Sequence, residues 1–282
     1  MLERSRGLPA ASLDAIADLE KRVLAADGGR LKLEWGTLRN RSGARVDDLL
    51  WWDDGTLLGF LGLYAFGGSQ IELAGMVDPA ARRRGIGTAL LDAALDECRA
   101  RGERQCLLVV PRSSKAGSEL AAKYGGELEH SEHALVLLGD PADGRSDPQL
   151  TMRVADVGDA DEVARLLQQG FDWLPPNIPE MLSAPVSRER TMLVERAGRA
   201  VGTARLSLED AVGGVYGFTV EPSLQGQGIG RDALRRFCRL LREDGAARVG
   251  LEVAVDNERA LGLYTSIGFT PVTTEDYYRL SL

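Results

Sequence analysis

Along the second half of the chain, apolar positions switch between a period of two and the helical period. Val249, Leu251, Val253 and Val255 share one face by alternation, which predicts a strand over Arg248 to Val255. The stretch from about Gly230 to Arg242 is apolar-periodic at helical spacing, and so is Asp156 to Gln169, where Val163, Leu166 and Leu167 fall on one side. Two β-rich runs, Thr191 to Glu195 and Ala200 to Leu208, flank Arg196-Ala197-Gly198-Arg199 and predict a hairpin. Gly214 to Val220 reads as a strand that stops before Pro222, which has no N–H for a ladder. Asn257 begins a helix through Ser266, and Tyr277 to Leu282 reads as the strand that closes this half.

The first half repeats the scheme. Leu49 to Trp52 and Thr56 to Tyr64 surround Asp53-Asp54-Gly55 as a second hairpin. Val77-Asp78-Pro79 followed by Arg84-Gly85-Ile86-Gly87 recurs as Val220-Glu221-Pro222 followed by Gln227-Gly228-Ile229-Gly230, and Gly85 to Gly228 is an offset of 143 residues. The same offset relates Gly55 to Gly198, Leu63 to Leu206, Leu91 to Leu234, Leu108 to Leu251 and Gly125 to Gly268. So long a period is no solenoid unit; it is two copies of one domain. Gly139 to Pro148, rich in Pro, Gly and Asp, reads as the linker between domains at 1–138 and 149–282. Each copy is expected to be an α/β domain of mixed sheet and helices.

Composition then removes whole classes of function. With 44% hydrophobic and 27% charged residues the chain is that of an ordinary globular protein. A net charge of -8 repels a phosphate backbone, so nucleic acid is not the expected partner. Cys98, Cys106 and Cys238 are odd in number, lack CxxC spacing and sit in apolar stretches, which fits a reducing compartment. Met1 to Ala11 has no apolar signal core, and no apolar run is long enough to span a bilayer. The expectation is a cytoplasmic protein without a membrane partner or a metal.

Gln225-Gly226-Gln227-Gly228-Ile229-Gly230-Arg231 lies between a strand end and a helix start. Glycines let backbone N–H groups approach a ligand, and the helix N-terminus adds partial positive charge, so phosphate or diphosphate is the natural guest. A dinucleotide-binding G-x-G-x-x-G starting at Gly226 needs glycine where Arg231 stands, and a P-loop needs Gly-Lys-Ser/Thr; both fail.

Both copies instead carry V-x-P-x-x-[QR]-x-x-G-x-G, with Arg82 or Gln225 at the bracketed position, and here the chain resembles the GNAT superfamily of N-acetyltransferases. The second copy adds the superfamily's Leu251-Glu252-Val253, then Asn257, then Leu263-Tyr264 and Ile267-Gly268-Phe269. The resemblance covers Thr151 to Leu282, and Leu49 to about Leu138 through the repeat; the first thirty or so residues match no motif. It implies two tandem GNAT domains and acetyl-CoA as donor. By the same resemblance Phe218, Thr219 and Val220 offer backbone groups to the pantetheine arm, and Gln225, Gly226, Gln227, Gly228, Ile229, Gly230 and Arg231 hold the diphosphate. Asn257 either reaches the cofactor or simply caps its helix. Tyr264 is implied to protonate the leaving thiolate, as a phenol of pKa about 10 stays protonated at neutral pH.

An amine must lose a proton to attack, and Glu252, opposite Leu251 and Val253 by alternation, is the candidate base, as in the ribosomal-protein N-terminal acetyltransferases this stretch resembles. Glu209 and Asp210 are runners-up. The first copy is thinner: Tyr264 maps to Ala121, Asn257 to Ser114 and Glu252 to Val109, with Tyr124 one helical turn from Ala121. It keeps a cofactor-binding pattern at Met76, Val77, Arg82, Arg83, Arg84, Gly85, Ile86, Gly87 and Thr88 but loses the acid, the amide and the base, so it is expected to be catalytically degenerate. The expected activity is direct acetyl transfer to a small-molecule or peptide amine by the second copy, with a monomeric pseudo-dimer or a homodimer as the assembly.

Two-copy architecture with one degenerate half is similar to the mycothiol synthases, which acetylate a cysteinyl amine. Their strand glutamate, eight residues before the motif proline, is replaced here by Gly214, which points to a different amine. Acetylation of a protein terminus or lysine, and a non-catalytic acyl-CoA-binding module, stand as the other readings. Phe171, Trp173, Leu174, Pro175 and Pro176 either wall an acceptor pocket or pack as ordinary core.

Overall fold

The computed structural model describes residues 1–65, 70–171, 174–175, 177–183 and 189–282. Two compact units divide it: unit 1 is Met1–Glu132 with Thr273–Leu282, and unit 2 is His133–Val272. In unit 1, β1 (Leu2–Ser5) pairs antiparallel with β2 (Asp48–Asp53), and β2 with β3 (Thr56–Tyr64). The first residues, silent in motif terms, thus form an edge strand and α1 (Ala10–Asp27), whose Ile16, Leu19 and Val23 recur at helical spacing and are buried. After the short α2 (Trp35–Arg39), β3 runs antiparallel to β4 (Ile71–Val77), which is parallel to β5 (Gln105–Pro111) across the crossover helix α3 (Ile86–Ala100). Then come α4 (Lys115–Lys123) and β6 (Glu127–Leu137).

Unit 2 follows the same plan. Its strands are β7 (Leu150–Val154), β8 (Glu189–Arg196), β9 (Arg199–Glu209), β10 (Val212–Val220) and β11 (Arg248–Ala254). Its helices are α5 (Ala160–Gly170), α6 (Ile178–Ser183), α7 (Ile229–Glu243) and α8 (Glu258–Thr265). Strand order is the second half of β6, then β11, β10, β9, β8 and β7, with β10 and β11 parallel and β7 to β10 antiparallel in succession. Helix α7 lays Ala233, Leu234, Phe237, Cys238 and Leu241, all nearly solvent-free, onto Val249, Leu251 and Val253. The mixed α/β class expected for each copy is what is found.

The closing strand is a correction. β12 (Thr270–Ser281) does not finish unit 2; from Glu275 to Ser281 it pairs antiparallel with β5, from Pro111 to Gln105, inside unit 1. Tyr277 and Leu280, three apart and therefore on opposite faces, fill the two cores that flank that sheet. Asp276 accepts from Arg112 Nη2 and from Ser131 Oγ, both at 2.7 Å. In unit 2 the corresponding place is taken by the second half of β6, where Leu135 and Leu137 enter the α7 core. Both strands alternate apolar and polar residues in the same way, so pattern alone does not distribute them.

The units therefore differ from the expected 1–138, 139–148 and 149–282 segments. Residues 139–148 belong to unit 2, strapped down by α7. Arg235 Nε donates to Ala142 O at 2.9 Å, Arg236 Nη2 to Asp147 O at 3.0 Å, and Asp232 accepts from the Asp147 N–H at 2.8 Å. A polar segment with this many backbone partners is ordered structure rather than a loose tether. Cys98, Cys106 and Cys238 are buried, as the apolar stretches implied, and form no disulfide; Cys98 and Cys106 share a hydrogen bond.

Candidate active site

β10 and β11 pair only from Val212–Gly214 against Arg248–Gly250, after which the parallel ladder ends. Beyond that point β10 carries a one-residue bulge: Tyr216 faces Arg205 and Thr219 faces Thr203, with Gly217 at φ 55° inside it. A non-glycine residue is strained there. Phe218 packs edge-on to Phe237 at 5.8 Å, while Thr219 and Val220 are nearly buried. The divergence leaves the β11-facing edge of Phe218 to Val220 beyond the end of the β10–β11 ladder, although the Val220 carbonyl already accepts from Gln225 Nε2 at 2.9 Å.

The glycine turn follows. Gly228 at φ 89° caps α7, and a Cβ placed on it would meet nothing within 4 Å. The first bond closing that end runs from Asp232 N–H to Gly228 O, so Ile229, Gly230 and Arg231 keep first-turn N–H groups without intrahelical acceptors. Gln225 accepts from Arg259 Nη1 at 2.8 Å, Gln227 from Arg196 Nη1 at 3.2 Å, and Arg231 Nε donates to Ser266 Oγ at 3.0 Å. Among the described residues neither Arg231 nor Arg259 meets a carboxylate within ion-pair distance. Arg259, the second residue of α8 and beside Gly226, belongs to this turn and was missed by motif reading; its place two residues after Asn257 was the available signal.

Helix α8 is tied to the turn by those bonds and by Leu263, whose Cδ1 lies 3.1 Å from the Cβ position of Gly230. Asn257 caps α8, its Oδ1 accepting from Ala260 N–H at 3.0 Å, so the capping reading is realised and the amide N–H₂ remains. Tyr264 is 9% exposed against Phe269, and burial pushes its phenol up to about 12. Its hydroxyl has no hydrogen-bond partner among the described residues. Glu252 is half-buried on the face opposite Leu251 and Val253, as alternation implied. Glu209 and Asp210 sit at the β9–β10 turn, where Asp210 and Ala211 have positive φ. Phe171 and Leu174 are exposed and Pro175 is half-buried; Trp173 and Pro176 lie outside the described residues.

Unit 1 repeats the geometry of the turn and changes its surroundings. Gly85 caps α3 at φ 82°, and Arg82 Nε donates to Val77 O as Gln225 does to Val220 O. The arginines are then taken up by the unit's own acids: Arg82 by Asp27, Arg83 by Glu119 at 2.9 Å, and Arg84 by Asp53 at 3.2 Å. Met76 is buried in the core, so only its backbone faces outward, and Ile86 is buried too, while Gly87 and Thr88 are half-buried in the first turn of α3. β4 has no bulge against β3, and its ladder with β5 stops at Leu73–Leu108. Beyond it, Leu31, Lys32 and Leu33 close over Ala74, Gly75 and Val109, leaving a cavity of only about 10 Å³. Val109 and Ala121 are buried apolar residues where Glu252 and Tyr264 stand in unit 2. Tyr124 donates to Asp92 at 2.5 Å, which occupies its hydroxyl.

A parallel pair that parts beside a glycine-capped helix is the frame of an acyl-CoA N-acyltransferase unit, present in both units, with the bulged strand added in unit 2. The sequence model of the acetyltransferase (GNAT) family matches residues 14–125 and 161–269, one match per copy, and the chain belongs to that family. It is an acetyl-CoA-dependent N-acetyltransferase. Its curated relatives include the mycothiol acetyltransferase of Kineococcus radiotolerans, 32% identical over 292 residues that span 96% of this chain and 94% of the relative. That of Nocardia farcinica is 28% identical, spanning 94% and 93%. Among solved structures, the same fold occurs in a GCN5-related N-acetyltransferase from Sphaerobacter thermophilus (TM-score 0.81, 20% identity, 99% and 95% covered). It also occurs in a tandem GNAT protein from the clavulanic acid biosynthesis pathway (TM-score 0.71, 17% identity, 100% and 98% covered). No helix among the described residues is long and apolar enough to cross a membrane.

Proposed function

We propose that unit 2 alone carries out the reaction, moving the acetyl group from acetyl-CoA directly to a primary amine. The diphosphate rests on the N–H groups of Gly226 to Arg231, with Arg231 and Arg259 supplying charge. The amine nitrogen attacks the thioester carbonyl carbon, and Glu252 takes the proton that nitrogen sheds. As the carbon–sulfur bond breaks, the sulfur receives the Tyr264 proton. The observation that carries this reading is Tyr264 itself, a buried phenol with no bonded partner among the described residues, on a helix bonded to the glycine turn. A pKa of about 12 keeps its proton available throughout the neutral range.

For the acceptor, the names of the curated relatives favour the cysteinyl amine of the mycothiol precursor as a second reading. Gly214 counts against it: where those enzymes carry a glutamate, the space above this residue is filled by the Tyr216 ring. Unit 1, with its arginines engaged and its splay covered by Leu31 to Leu33, is read as a non-catalytic partner domain that binds no acetyl-CoA. The test is calorimetric titration with acetyl-CoA, then free-thiol assays of wild type, Tyr264→Phe and Glu252→Gln over an amine panel that includes the mycothiol precursor. The reading expects one site per chain, and turnover lost in both variants with coenzyme affinity retained. Two equal sites, or full turnover in Tyr264→Phe, would overturn it.

A further inference from the structure

The last rung before β10 and β11 part is Gly214 against Gly250, so the sheet there has no side chain on either strand. Gly213 packs beneath Leu241 and Ala246 of the α7 side, which puts Gly214 and Tyr216 on the opposite face. Val249, Leu251 and Val253 also point to α7, which puts Gly250 and Glu252 on that same opposite face.

The two glycines differ in what stands over them. A Cβ on Gly214 would lie 2.4 Å from Tyr216 Cε2 and 2.7 Å from its hydroxyl, so the tyrosine ring is folded back into that space. Arg205, the cross-strand neighbour of Tyr216, holds the ring from one side, its guanidinium carbon 5.1 Å from the centroid, and is paired in turn with Glu189 at 3.3 Å. Among the described residues, a Cβ on Gly250 would meet only two backbone oxygens, of Leu135 and Gly213, at 3.8 and 3.9 Å. Among the described residues nothing else stands over Gly250, which leaves a notch there about the width of one side chain. The Tyr216 ring, 38% exposed, borders it on the β10 side, and Glu252 stands two residues further along β11.

We propose that this notch receives the acceptor's ammonium group, with Tyr216 as an acceptor-binding residue that the motif pattern does not contain. An aromatic face and a carboxylate around a side-chain-free floor suit a compact cation; the held ammonium loses one proton to bulk water before it attacks, and Glu252 takes the second as the amide forms. The floor admits an amine on an unbranched or lightly substituted carbon; bulk at that carbon collides with the ring or with the Gly250 backbone. The inference rests on the assignment of Glu252 as base.

The test is steady-state kinetics with n-butylamine, tert-butylamine, L-lysine amide and spermidine, read by thiol release. Tyr216→Leu is expected to raise the KM for the best amine about tenfold and leave the KM for acetyl-CoA unchanged, whereas Tyr216→Phe behaves like wild type. Gly250→Val, which fills the notch, is expected to lose transfer while calorimetry still records acetyl-CoA binding. Tert-butylamine is expected to be the poorest acceptor. An unchanged amine KM in Tyr216→Leu, or equal rises for amine and coenzyme, overturns the notch. Full turnover in Glu252→Gln beside a raised amine KM in Tyr216→Leu removes the base assignment and supports the notch. A wild-type chain that acetylates none of these amines overturns both.

Discussion

The bond from Arg82 to Val77 O and the bond from Gln225 to Val220 O are the same tether in the two units, and a left-handed glycine follows each at the head of a helix. From there the units part. In unit 1 Asp27, Glu119 and Asp53 each engage one arginine of the turn, and apolar side chains stand where unit 2 has Glu252 and Tyr264. In unit 2, among the described residues, Arg231 and Arg259 of the turn bond only to neutral partners, and the strand below it is bulged. Keeping the shape of an anion-binding turn requires two glycines and one tether. Keeping its function requires that the charges and N–H groups around it stay without internal partners, which no local pattern enforces.

The sharpest way to break the comparison is at the phenol. Tyr264→Phe is expected to lower kcat about a hundredfold or more, without changing acetyl-CoA affinity. Tyr124→Phe in unit 1 should leave both unchanged. Because burial holds Tyr264 near 12, the pH–rate profile of the wild type should show no descending limb below about pH 11. A descending limb near pH 9 or 10 would give the acid role to another group.

A second difference concerns stability. Unit 1 buries Asp48 completely against Arg41, and burial pushes its carboxyl up to about 6 even though Arg41 favours the charged form. The corresponding residue of unit 2 is the uncharged Thr191. A folded pKa above the unfolded value means that the folded state holds the proton more tightly between about pH 4 and 6. Stability of unit 1 should therefore fall as pH rises through that window and level off above it, by no more than about 3 kcal/mol. Tryptophan fluorescence of Trp35, Trp51 and Trp52 during denaturant unfolding follows this unit, and Asp48→Asn should flatten the slope. A slope that survives the substitution assigns it elsewhere.

Smaller effects separate the turns and the caps. Arg231→Ala and Arg259→Ala should each weaken acetyl-CoA about tenfold by calorimetry, while Arg83→Ala and Arg84→Ala should not move it. Ser114 and Asn257 cap corresponding helices, at 3.2 and 3.0 Å to the N–H they accept from. Replacing either by alanine should cost about 1 kcal/mol in thermal unfolding. Only Asn257→Ala should also raise the KM for acetyl-CoA, if its amide N–H₂ meets the coenzyme.

Glycine spacing, strand alternation around Glu252 and the 143-residue repeat are local features, and the elements they imply fall close to the observed ones. Helix α7, expected over about Gly230 to Arg242, runs from Ile229 to Glu243. What escaped sequence reading depends on distant partners. Asp27 reaches Arg82 across 55 residues, and nothing near either side chain announces the pair. Tyr216 passes for an ordinary strand residue until the empty space over Gly214 is seen to be filled by its ring. The final strand was misassigned because its alternation is as compatible with one sheet as with the other.

That strand has a consequence for biosynthesis. Residues 275–281 leave the ribosome only after the whole of unit 2, yet they pair along the edge of β5 and complete both cores of unit 1. The usual head-first order of co-translational folding is therefore unavailable to unit 1, whose nascent form must wait with Leu107, Leu108 and Val109 uncovered along an open edge. Premature termination within the second half would therefore harm the amino-terminal domain as well as the one in which the lesion lies.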